Sequence, residues 1–267
     1  MKAKLQPGLY IVGTPIGNLS DMSPRAVETL RAADLIAAED TRVFGKLAAH
    51  LDIKTKRIAM HEHNERELAS DIIEKIRSGA SVAVVSDSGM PGISDPGFPI
   101  VRAARAASVP VFVIPGPTAF ASALVLSGFP TDRFTFCGFF RDEKHLAGDN
   151  KIRHTIIYYE SPNRIADTIA ACARVMPERR VAIVREITKI HEETIIGYPA
   201  DLLPLPTLRG EIVLVIEPAP DIKISDDEIT KIVRDVLSKN MSSRDAANEI
   251  SSRTGISKSD AYARVIK

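Results

Sequence analysis

Short apolar runs alternate with amphipathic stretches along the first 117 residues of the chain. Runs of this length, without polar alternation, are typical of strands buried on both faces of a parallel sheet. They predict strands at 8–13, 35–39, 57–60, 81–86 and 110–115. Apolar residues at helical spacing predict helices between them, at 23–34, 41–51, 65–79 and 98–107. Helices of this length between strands predict a parallel sheet with helices packed on it.

The pattern changes after a helix predicted at 119–128. Strands are predicted at 133–140, 155–160, 180–186, 192–198 and 211–217, with a charged segment at 141–153 and a helix at 163–176. Because some of these strands are only a few residues apart, the second sheet should be mixed or antiparallel. The predicted domains are 1–117, 118–218 and a small helical, helix-turn-helix-like extension, 226–267, which follows a Pro/Asp-rich linker at 217–228.

Composition sets limits on the function. The 267 residues are 45% hydrophobic and 26% charged, as in a globular protein with a substantial core, and a net charge of +1 means that any basic surface must be local. Cys137 and Cys172 lie far apart, which favours a reducing compartment over a disulfide. The chain shows neither a signal-peptide core nor a long apolar run, so we expect a cytoplasmic protein without a membrane segment. Few aromatic residues and no tryptophan argue against a broad base-stacking surface.

Three loops rich in glycine and proline follow predicted strands, at 12–18, 84–99 and 114–120. Ligands of an open parallel sheet bind beyond the carboxyl ends of the strands, where these loops must lie. Glycine lets the backbone approach a ligand closely, and proline stiffens the turn. We therefore expect the three loops to meet in one crevice that holds a small molecule.

Each loop also has a simpler interpretation. The first lacks the G-x-G-x-x-G pattern of a dinucleotide site, although Glu39 stands at the spacing of a ribose-binding acid, so an ordinary glycine turn is one alternative. Asp95 precedes Pro96 and a helix, which favours a capping role, and Thr118 alone would also be a helix cap. For Asp87, a structural role and a ligand-binding role are equally supported.

Several motifs together resemble the tetrapyrrole-methylase superfamily, in the correct order over roughly residues 8–217. They are "AAEDTR", "HEHNE", "VVSDSGMPGISDPG", "IPGPTA", "YESPNRI" and "REITKIHEET…RGEIVLVIE". Within the superfamily they are similar to the branch that uses S-adenosylmethionine to methylate the ribose 2′-hydroxyl of a cytidine in the decoding region of 16S ribosomal RNA. Met90 stands where the family usually has threonine, which puts a hydroxyl contact there in doubt.

The resemblance implies an α/β, two-domain tetrapyrrole-methylase-like fold with S-adenosylmethionine held in the cleft between the domains. The residues it implies as cofactor contacts are Pro15, Asp87, Gly89, Met90, Pro91, Ile93, Thr118, Ala119, Tyr158, Tyr159 and Gly210. Many of these contacts would be made by the backbone. The resemblance also implies a homodimer.

A ribose hydroxyl has a pKa far above 7, so a base or a neighbouring cation should help to remove its proton. Charged residues at the predicted strand ends are the candidates: Glu39, Arg42, Glu160 and Lys189. Taken singly, each is more typical of a solvated or salt-bridged group at the rim of a sheet. It is equally consistent with the sequence that no dedicated base exists and that geometry suffices.

RNA would be held through its phosphates by local basic and polar groups. The candidates are Lys46, His61, Asn64, Arg66, Arg141, Lys144, Arg153 and Arg164. The charged segment 141–153 is either a substrate-gripping lid or a solvated surface. His61 and His63 lack a third ligand, so no metal site is predicted. The C-terminal helices either contact RNA phosphates or pack on the body or a partner subunit.

The predicted activity is therefore 2′-O-methylation of a cytidine in 16S ribosomal RNA, with the RNA or the small ribosomal subunit as partner. Two alternatives remain open on the sequence. One is a methylase that acts on a tetrapyrrole, another small molecule or a protein. The other is a ribosome-assembly factor that keeps the cofactor pocket without catalysis.

Overall fold

The computed structural model describes residues 5–220, 226–239 and 241–266. The chain divides into two compact units, Met1–Ala219 and Pro220–Lys267. Residues 221–225 of the predicted linker lie outside the described residues. The boundary proposed at residue 117 falls inside the first unit, between the strands of two separate sheets.

The first sheet is parallel throughout and has the order β3-β2-β4-β1-β5. Its strands are β1 Gly8–Val12, β2 Leu35–Ala38, β3 Arg57–Ala59, β4 Ser81–Val85 and β5 Val111–Ile114. The apolar runs therefore predicted all five strands and their parallel arrangement correctly. Because the strands run in the same direction, the loops after β1, β4 and β5 leave the sheet at the same edge, side by side.

Helices cover both faces of this sheet: α1 Pro24–Ala32, α2 Thr41–His50, α3 Glu65–Arg77 and α4 Phe98–Ala106. Alternate strand residues point to opposite faces, so Val12 packs with α1 and α2 whereas Ile11 packs with α3 and α4. The predicted start of α1 is confirmed, since the Ser23 hydroxyl accepts a hydrogen bond from the Ala26 amide at 3.1 Å and Pro24 is the first helical residue.

The second sheet is mixed, as predicted, with the order β6-β7-β10-β8-β9. Its elements are α5 Ala119–Ser127, β6 Phe134–Phe139, α6 Glu143–Asp149, β7 Thr155–Glu160, α7 Ile165–Val175, β8 Val181–Arg185, β9 Glu193–Gly197 and β10 Ile212–Ile216. Only β6 and β7 pair in parallel; the other neighbours are antiparallel. Helices α6 and α7 pack on one face and α5 on the other. Helix α5 thus carries the chain from the last strand of the first sheet onto the second sheet.

The charged segment 141–153 contains helix α6, which the sequence did not predict. The Asp142 carboxylate caps it by accepting from the His145 amide at 2.9 Å, and Leu146 is only 1% exposed in the core of the second sheet. Arg174 on α7 pairs with Glu143 at 2.6 Å. A short helix therefore fixes this segment to the second sheet. The sequence did not predict the helix because its one large apolar residue, Leu146, gives no helical periodicity.

The described residues of the C-terminal unit form helices, as the predicted helical extension requires: α8 Asp226–Leu237, α9 Ser243–Thr254 and α10 Lys258–Val265. Val236, Ile250 and Ala261 are buried in its small core. Gly255 ends α9 in a left-handed conformation, φ +73°, where the sequence placed a glycine turn. None of the helices among the described residues is long and apolar enough to cross a membrane.

Arg179, just before β8, is completely buried. Its guanidinium donates to three backbone carbonyls, those of Glu217 at 2.6 Å, Ile152 at 3.0 Å and His154 at 2.9 Å. It therefore joins the segments before β7 and after β10 to the start of β8. Burial disfavours the charged form of Arg179 and lowers its pKa from the usual value. The hydrogen bonds offset this cost, because the guanidinium N–H groups satisfy carbonyls that would otherwise be left without partners.

Replacing Arg179 with methionine should lower the free energy of unfolding by about 3–5 kcal/mol, because three buried carbonyls lose their donor. The neighbouring Arg180 is a matched control: it is half-exposed and pairs with Glu217. Arg180→Met should cost much less, because solvent screens its ion pair at the surface. Urea denaturation of both variants measures the difference, and equal losses would contradict the structural role given to Arg179.

Candidate functional site

The three glycine- and proline-containing loops meet. The Gly13 amide donates to the Ile114 carbonyl at 3.0 Å, and Thr14 and Gly89 exchange backbone hydrogen bonds at 2.9 and 3.2 Å. A Cβ atom on Gly13 would lie 2.6 Å from the Gly116 Cα atom, and one on Gly116 would lie 2.8 Å from the Gly13 Cα atom. Only glycine at both positions allows this approach, so the predicted convergence of the loops is confirmed.

Met90 fills the space at this junction. Its sulfur accepts a hydrogen bond from the Gly116 amide at 3.3 Å, and a Cβ atom on Gly13 would lie 2.7 Å from the same sulfur. The thioether, which belongs to the loop after β4, therefore contacts both the loop after β1 and the loop after β5. An apolar, flexible side chain suits this irregular gap, which accounts for the departure from the family pattern at this position.

The loops form one wall of a cavity of about 350 Å³, within the range of about 300–1,000 Å³ that is typical of small-ligand sites. The opposite wall is the second sheet, where β7 ends and β10 begins. Most of the lining is apolar, and the acidic residues in it are Asp95, Glu160 and Glu211, of which Glu160 has a fully buried side chain. Among the described residues that line the cavity, none is lysine or arginine.

The cavity brings together much of the predicted cofactor set: Gly89, Met90, Ile93, Thr118, Ala119, Tyr159 and Gly210. Pro15, Asp87 and Pro91 belong to the same loops but lie outside this lining. Tyr158 points to the other face of β7, where its hydroxyl donates to Asp149 at 2.6 Å and its ring packs against Phe140. That leaves only its backbone for a role at the cavity.

The capping role predicted for Asp95 is wrong. Helix α4 begins after Gly97, whose amide donates to Glu65 Oε2 on α3 at 2.9 Å, while Asp95 lines the cavity. The acceptor at this helix end comes from a residue that is distant in the sequence, in the motif "HEHNE". Thr118 does occupy the cap position of α5, but its side chain makes no capping hydrogen bond and faces the cavity.

The sequence did not single out several other lining residues, among them Ile16, Phe139, Ile187 and Glu211. Ile16 stands in the first glycine loop, so its position was available as a signal. Phe139 lies in an apolar run that predicts only a strand, and Ile187 lies in a charged segment. Neither local pattern indicates that the side chain faces a ligand site.

Three carboxylates from two segments gather beside the cavity: Glu39 after β2, and Asp87 and Asp95 after β4. Glu39 accepts from the Asp87 amide at 3.2 Å, and Asp87 accepts from the Asp40 amide at 3.1 Å. Burial raises the pKa of both Glu39 and Asp87. Burial, together with the charges of Glu39 and Asp87, raises the pKa of Asp95 to about 7, and a hydrogen bond with Ser86 only partly opposes this.

The other residues predicted to be catalytic are engaged in ion pairs. The Arg42 side chain is 88% exposed and pairs with Asp40 at 2.7 Å. Glu160 lines the cavity, but its buried carboxylate accepts from the Ser161 amide, the Arg164 guanidinium and the Thr168 hydroxyl, at 2.7, 3.0 and 2.6 Å. The structure thus gives Glu160 a positional role in holding β7 to α7, and its catalytic role stays a prediction.

Lys189 joins the two halves of the first unit. Its ammonium pairs with Glu186 at 2.8 Å and with Glu211 at 3.1 Å. Burial opposes its protonation, but these hydrogen bonds prevail and raise its pKa. A Cβ atom on Gly17 would lie 2.7 Å from the Lys189 side chain, so the loop after β8 packs on the loop after β1.

Most of the residues predicted to bind RNA are exposed: Lys46, His61, Arg66, Arg141, Lys144, Arg153 and Arg164. Asn64 and Arg164 illustrate that members of the set have local partners. Asn64 accepts from the His61 amide at 2.8 Å and donates to the Ala59 carbonyl at 3.2 Å. Arg164 binds Glu160 and the Phe140 carbonyl. The set therefore stays a prediction.

The raised pKa of Asp95 predicts a pH-dependent stability. Folded Asp95 binds its proton more tightly than unfolded aspartate, so wild-type protein loses stability as the pH rises from about 4 to about 7. Asp95→Asn should remove this loss and raise the free energy of unfolding at pH 8 by about 1–2 kcal/mol, after allowance for solvent screening. The gain should vanish near pH 4. Chemical denaturation of both proteins across this range measures it.

Asp142 provides a control whose pKa is shifted in the opposite direction, because hydrogen bonds from the His145 amide and ring lower it. Asp142→Asn should give no gain at pH 8. If Asp95→Asn changed stability equally at pH 5 and pH 8, the environment described for Asp95 would be wrong.

A family model described as "Tetrapyrrole (Corrin/Porphyrin) Methylases" matches residues 8–202. The chain is 38% identical to a Ribosomal RNA small subunit methyltransferase I from Synechocystis sp. over 95% of both chains, and 47% identical to one from Vibrio cholerae over 72% of this chain and 69% of the other.

Two solved structures share the fold. A diphthine synthase has a TM-score of 0.63 at 15% identity, with 79% of this chain and 89% of that chain covered. A uroporphyrin-III C-methyltransferase from Thermus thermophilus, complexed with S-adenyl homocysteine, has a TM-score of 0.55 at 18% identity, with 79% and 97% covered. Their sequences are too different to show more than the fold. With the family model and the close relatives, however, they lead to one conclusion: this chain belongs to the tetrapyrrole methylase family.

Proposed function

We propose that this protein transfers a methyl group from S-adenosylmethionine to the ribose 2′-hydroxyl of a cytidine in the decoding region of 16S ribosomal RNA. The observation that carries the proposal is an apolar cavity where the three glycine- and proline-containing loops meet, in a chain similar along nearly its whole length to ribosomal RNA methyltransferases. The choice of the cytidine 2′-hydroxyl rests on the motifs "AAEDTR", "HEHNE" and "YESPNRI".

The residues of the cavity fit S-adenosylmethionine. The walls are mostly apolar, and glycine at positions 89 and 210 lets a ligand approach the backbone closely, which suits an adenosyl group held largely by main-chain contacts. The charged side chains in the lining are acidic, which suits a cationic sulfonium. We assign the donor to Gly89, Met90, Ile93, Thr118, Ala119, Tyr159 and Gly210. When bound, it supplies an electrophilic methyl group.

The chain itself must orient the acceptor hydroxyl, exclude water and allow the hydroxyl proton to leave. The two facing walls, one from the loops and one from the second sheet, leave little room for water once the donor and the acceptor are bound. Of the acidic side chains in the lining, Glu160 is committed to three hydrogen bonds and Glu211 to Lys189. Asp95, whose pKa of about 7 keeps it titratable at neutral pH, is the carboxyl group that we assign to receive the proton.

The surface groups support RNA as the partner. Glu39, Arg42 and Lys189 lie outside the cavity lining, and the exposed basic residues predicted to bind RNA come from both halves of the first unit. Because no described residue of the cavity lining is lysine or arginine, we expect phosphates to bind around the cavity and not in it. We therefore propose Arg42 as a phosphate contact at the rim.

We also propose that the protein is a cytoplasmic homodimer. The edge strand β5 carries an exposed apolar side chain, Val113, which is 57% exposed. Uncovered apolar edges of sheets favour association with another chain. Light scattering of the purified protein measures its mass directly.

Labelled S-adenosylmethionine tests the function. The protein is incubated with immature small ribosomal subunits, with naked 16S ribosomal RNA and with a set of tetrapyrroles, and the RNA is digested to nucleosides for mass spectrometry. We expect label in 2′-O-methylcytidine from one position. Label in a tetrapyrrole or a protein would support a different methylase, and binding of subunits without transfer would support a non-catalytic assembly factor; either result contradicts the proposal.

Replacing Gly89 with valine should weaken binding of S-adenosylmethionine at least tenfold. Gly89 has φ +81°, and a Cβ atom there would lie 3.3 Å from Ile16 Cγ2 and 3.4 Å from the Pro117 carbonyl oxygen, so the side chain strains the backbone and tightens the cavity. Isothermal calorimetry measures the dissociation constant.

Gly79→Val is the matched control, because Gly79 has φ +99° but a Cβ atom there would have nothing within 4 Å, and because it lies at the opposite end of β4. It should cost similar stability and leave binding unchanged. If Gly89→Val bound S-adenosylmethionine as tightly as wild type, the assignment of the donor to this cavity would be wrong.

A further inference from the structure

Phe139 is a large aromatic residue that stays 56% exposed although it lines the cavity. It is the last residue of β6, which is an edge strand of the second sheet. Its ring lies 5.5 Å from the Tyr159 ring at an interplanar angle of 68°, so one neighbour fixes its orientation while more than half of the residue remains open to a ligand. Because this ring is open and lies at the cavity, it is available for a further contact with the substrate.

A local irregularity of the strand aims this ring at the cavity. Phe136 and Phe139 are three residues apart, and in a regular strand such residues point to opposite faces. Here both rings contact Tyr159, because the pairing of β6 with β7 shifts register between them and Gly138 adopts φ +71°. Bulges of this kind re-aim side chains next to functional sites.

The chemistry of the cavity limits which part of an RNA can enter. Its described lining includes the carboxyl group of Asp95 and no lysine or arginine, so it offers a phosphate no cationic partner, whereas an uncharged sugar and base need none. The 2′-hydroxyl of a nucleotide stacked in a helix does not reach a recessed cavity with its neighbours in place. The acceptor nucleotide must therefore leave the stack, at a cost in stacking energy that the protein has to offset.

We propose that the exposed Phe139 ring is the platform on which the base of the unstacked acceptor nucleotide stacks. A base that leaves its neighbours loses stacking, and an aromatic side chain restores part of it. The inference rests on the proposed function and extends it: the protein takes a single nucleotide splayed out of the RNA. One ring is enough for one base, which agrees with the low aromatic content of the chain.

Phe139→Ala tests the proposal, with Phe134→Ala as the matched control. Phe134 lies on the same strand, is 42% exposed and has its ring 6.2 Å from the Phe120 ring, but does not line the cavity. With naked or subunit-bound 16S ribosomal RNA, Phe139→Ala should lower kcat/KM by about 5- to 150-fold, the loss expected from one stacked base. Phe134→Ala and the conservative Phe139→Tyr should stay within about threefold of wild type.

Further readouts separate stacking from a merely structural role. A fluorescent cytidine analogue at the acceptor position should change its emission on binding to wild type, to Phe134→Ala and to Phe139→Tyr, but not to Phe139→Ala. The dissociation constant of S-adenosylmethionine and the mass measured by light scattering should be the same for all four proteins.

Three outcomes overturn the inference alone, each with wild-type methylation intact. In the first, Phe139→Ala matches Phe134→Ala in kcat/KM and fluorescence. In the second, Phe139→Ala loses cofactor affinity, which assigns the ring to the donor. In the third, it changes the mass, which assigns the ring to an interface between copies. If wild type transfers no label to RNA, the proposed function fails and the inference fails with it.

Discussion

The contact on which the site depends is the close approach of two backbone segments, at Gly13 and Gly116. The Cβ atom of any other residue would lie within 3 Å of the opposite backbone at either position. This approach places the loop after β1 directly beside the loop after β5, and the exchange of hydrogen bonds between Thr14 and Gly89 adds the loop after β4. A wider spacing at Gly13 would separate all three loops and open the cavity to water.

The second half of the first unit supplies what the loops lack, an opposing wall. Helix α5 begins directly after the third loop, which helps to form the cavity, and packs on the second sheet. This helix therefore holds the second sheet opposite the loops. Lys189 also links the two halves: the methylene groups of its side chain pack on Gly17 of the first loop, and its ammonium pairs with Glu186 and Glu211 of the second half. The cavity exists only when both halves are folded together.

Charge is divided between the interior of the cavity and its surroundings. Acidic side chains lie in or beside the cavity, whereas the described basic residues near the strand ends are exposed or paired at the surface. Such a division suits a reaction in which a cationic donor and a neutral part of the acceptor meet inside while a polyanion stays outside. It also places Asp95 where burial and two neighbouring carboxylates keep it protonatable near neutral pH.

The sequence by itself determined all the strands of the two sheets, most of the helices and the loops that meet, because apolar runs, helical spacing and glycine–proline turns act locally. Tertiary structure decided what depends on distant partners. Asp95 was free to face the cavity because Glu65, from another helix, accepts from the amide at the start of α4. Phe139 points at the cavity because β6 slips against β7. Helix α6 forms because Leu146 finds a core to enter. No local pattern encodes these three, since each is fixed by a contact made only after the chain has folded.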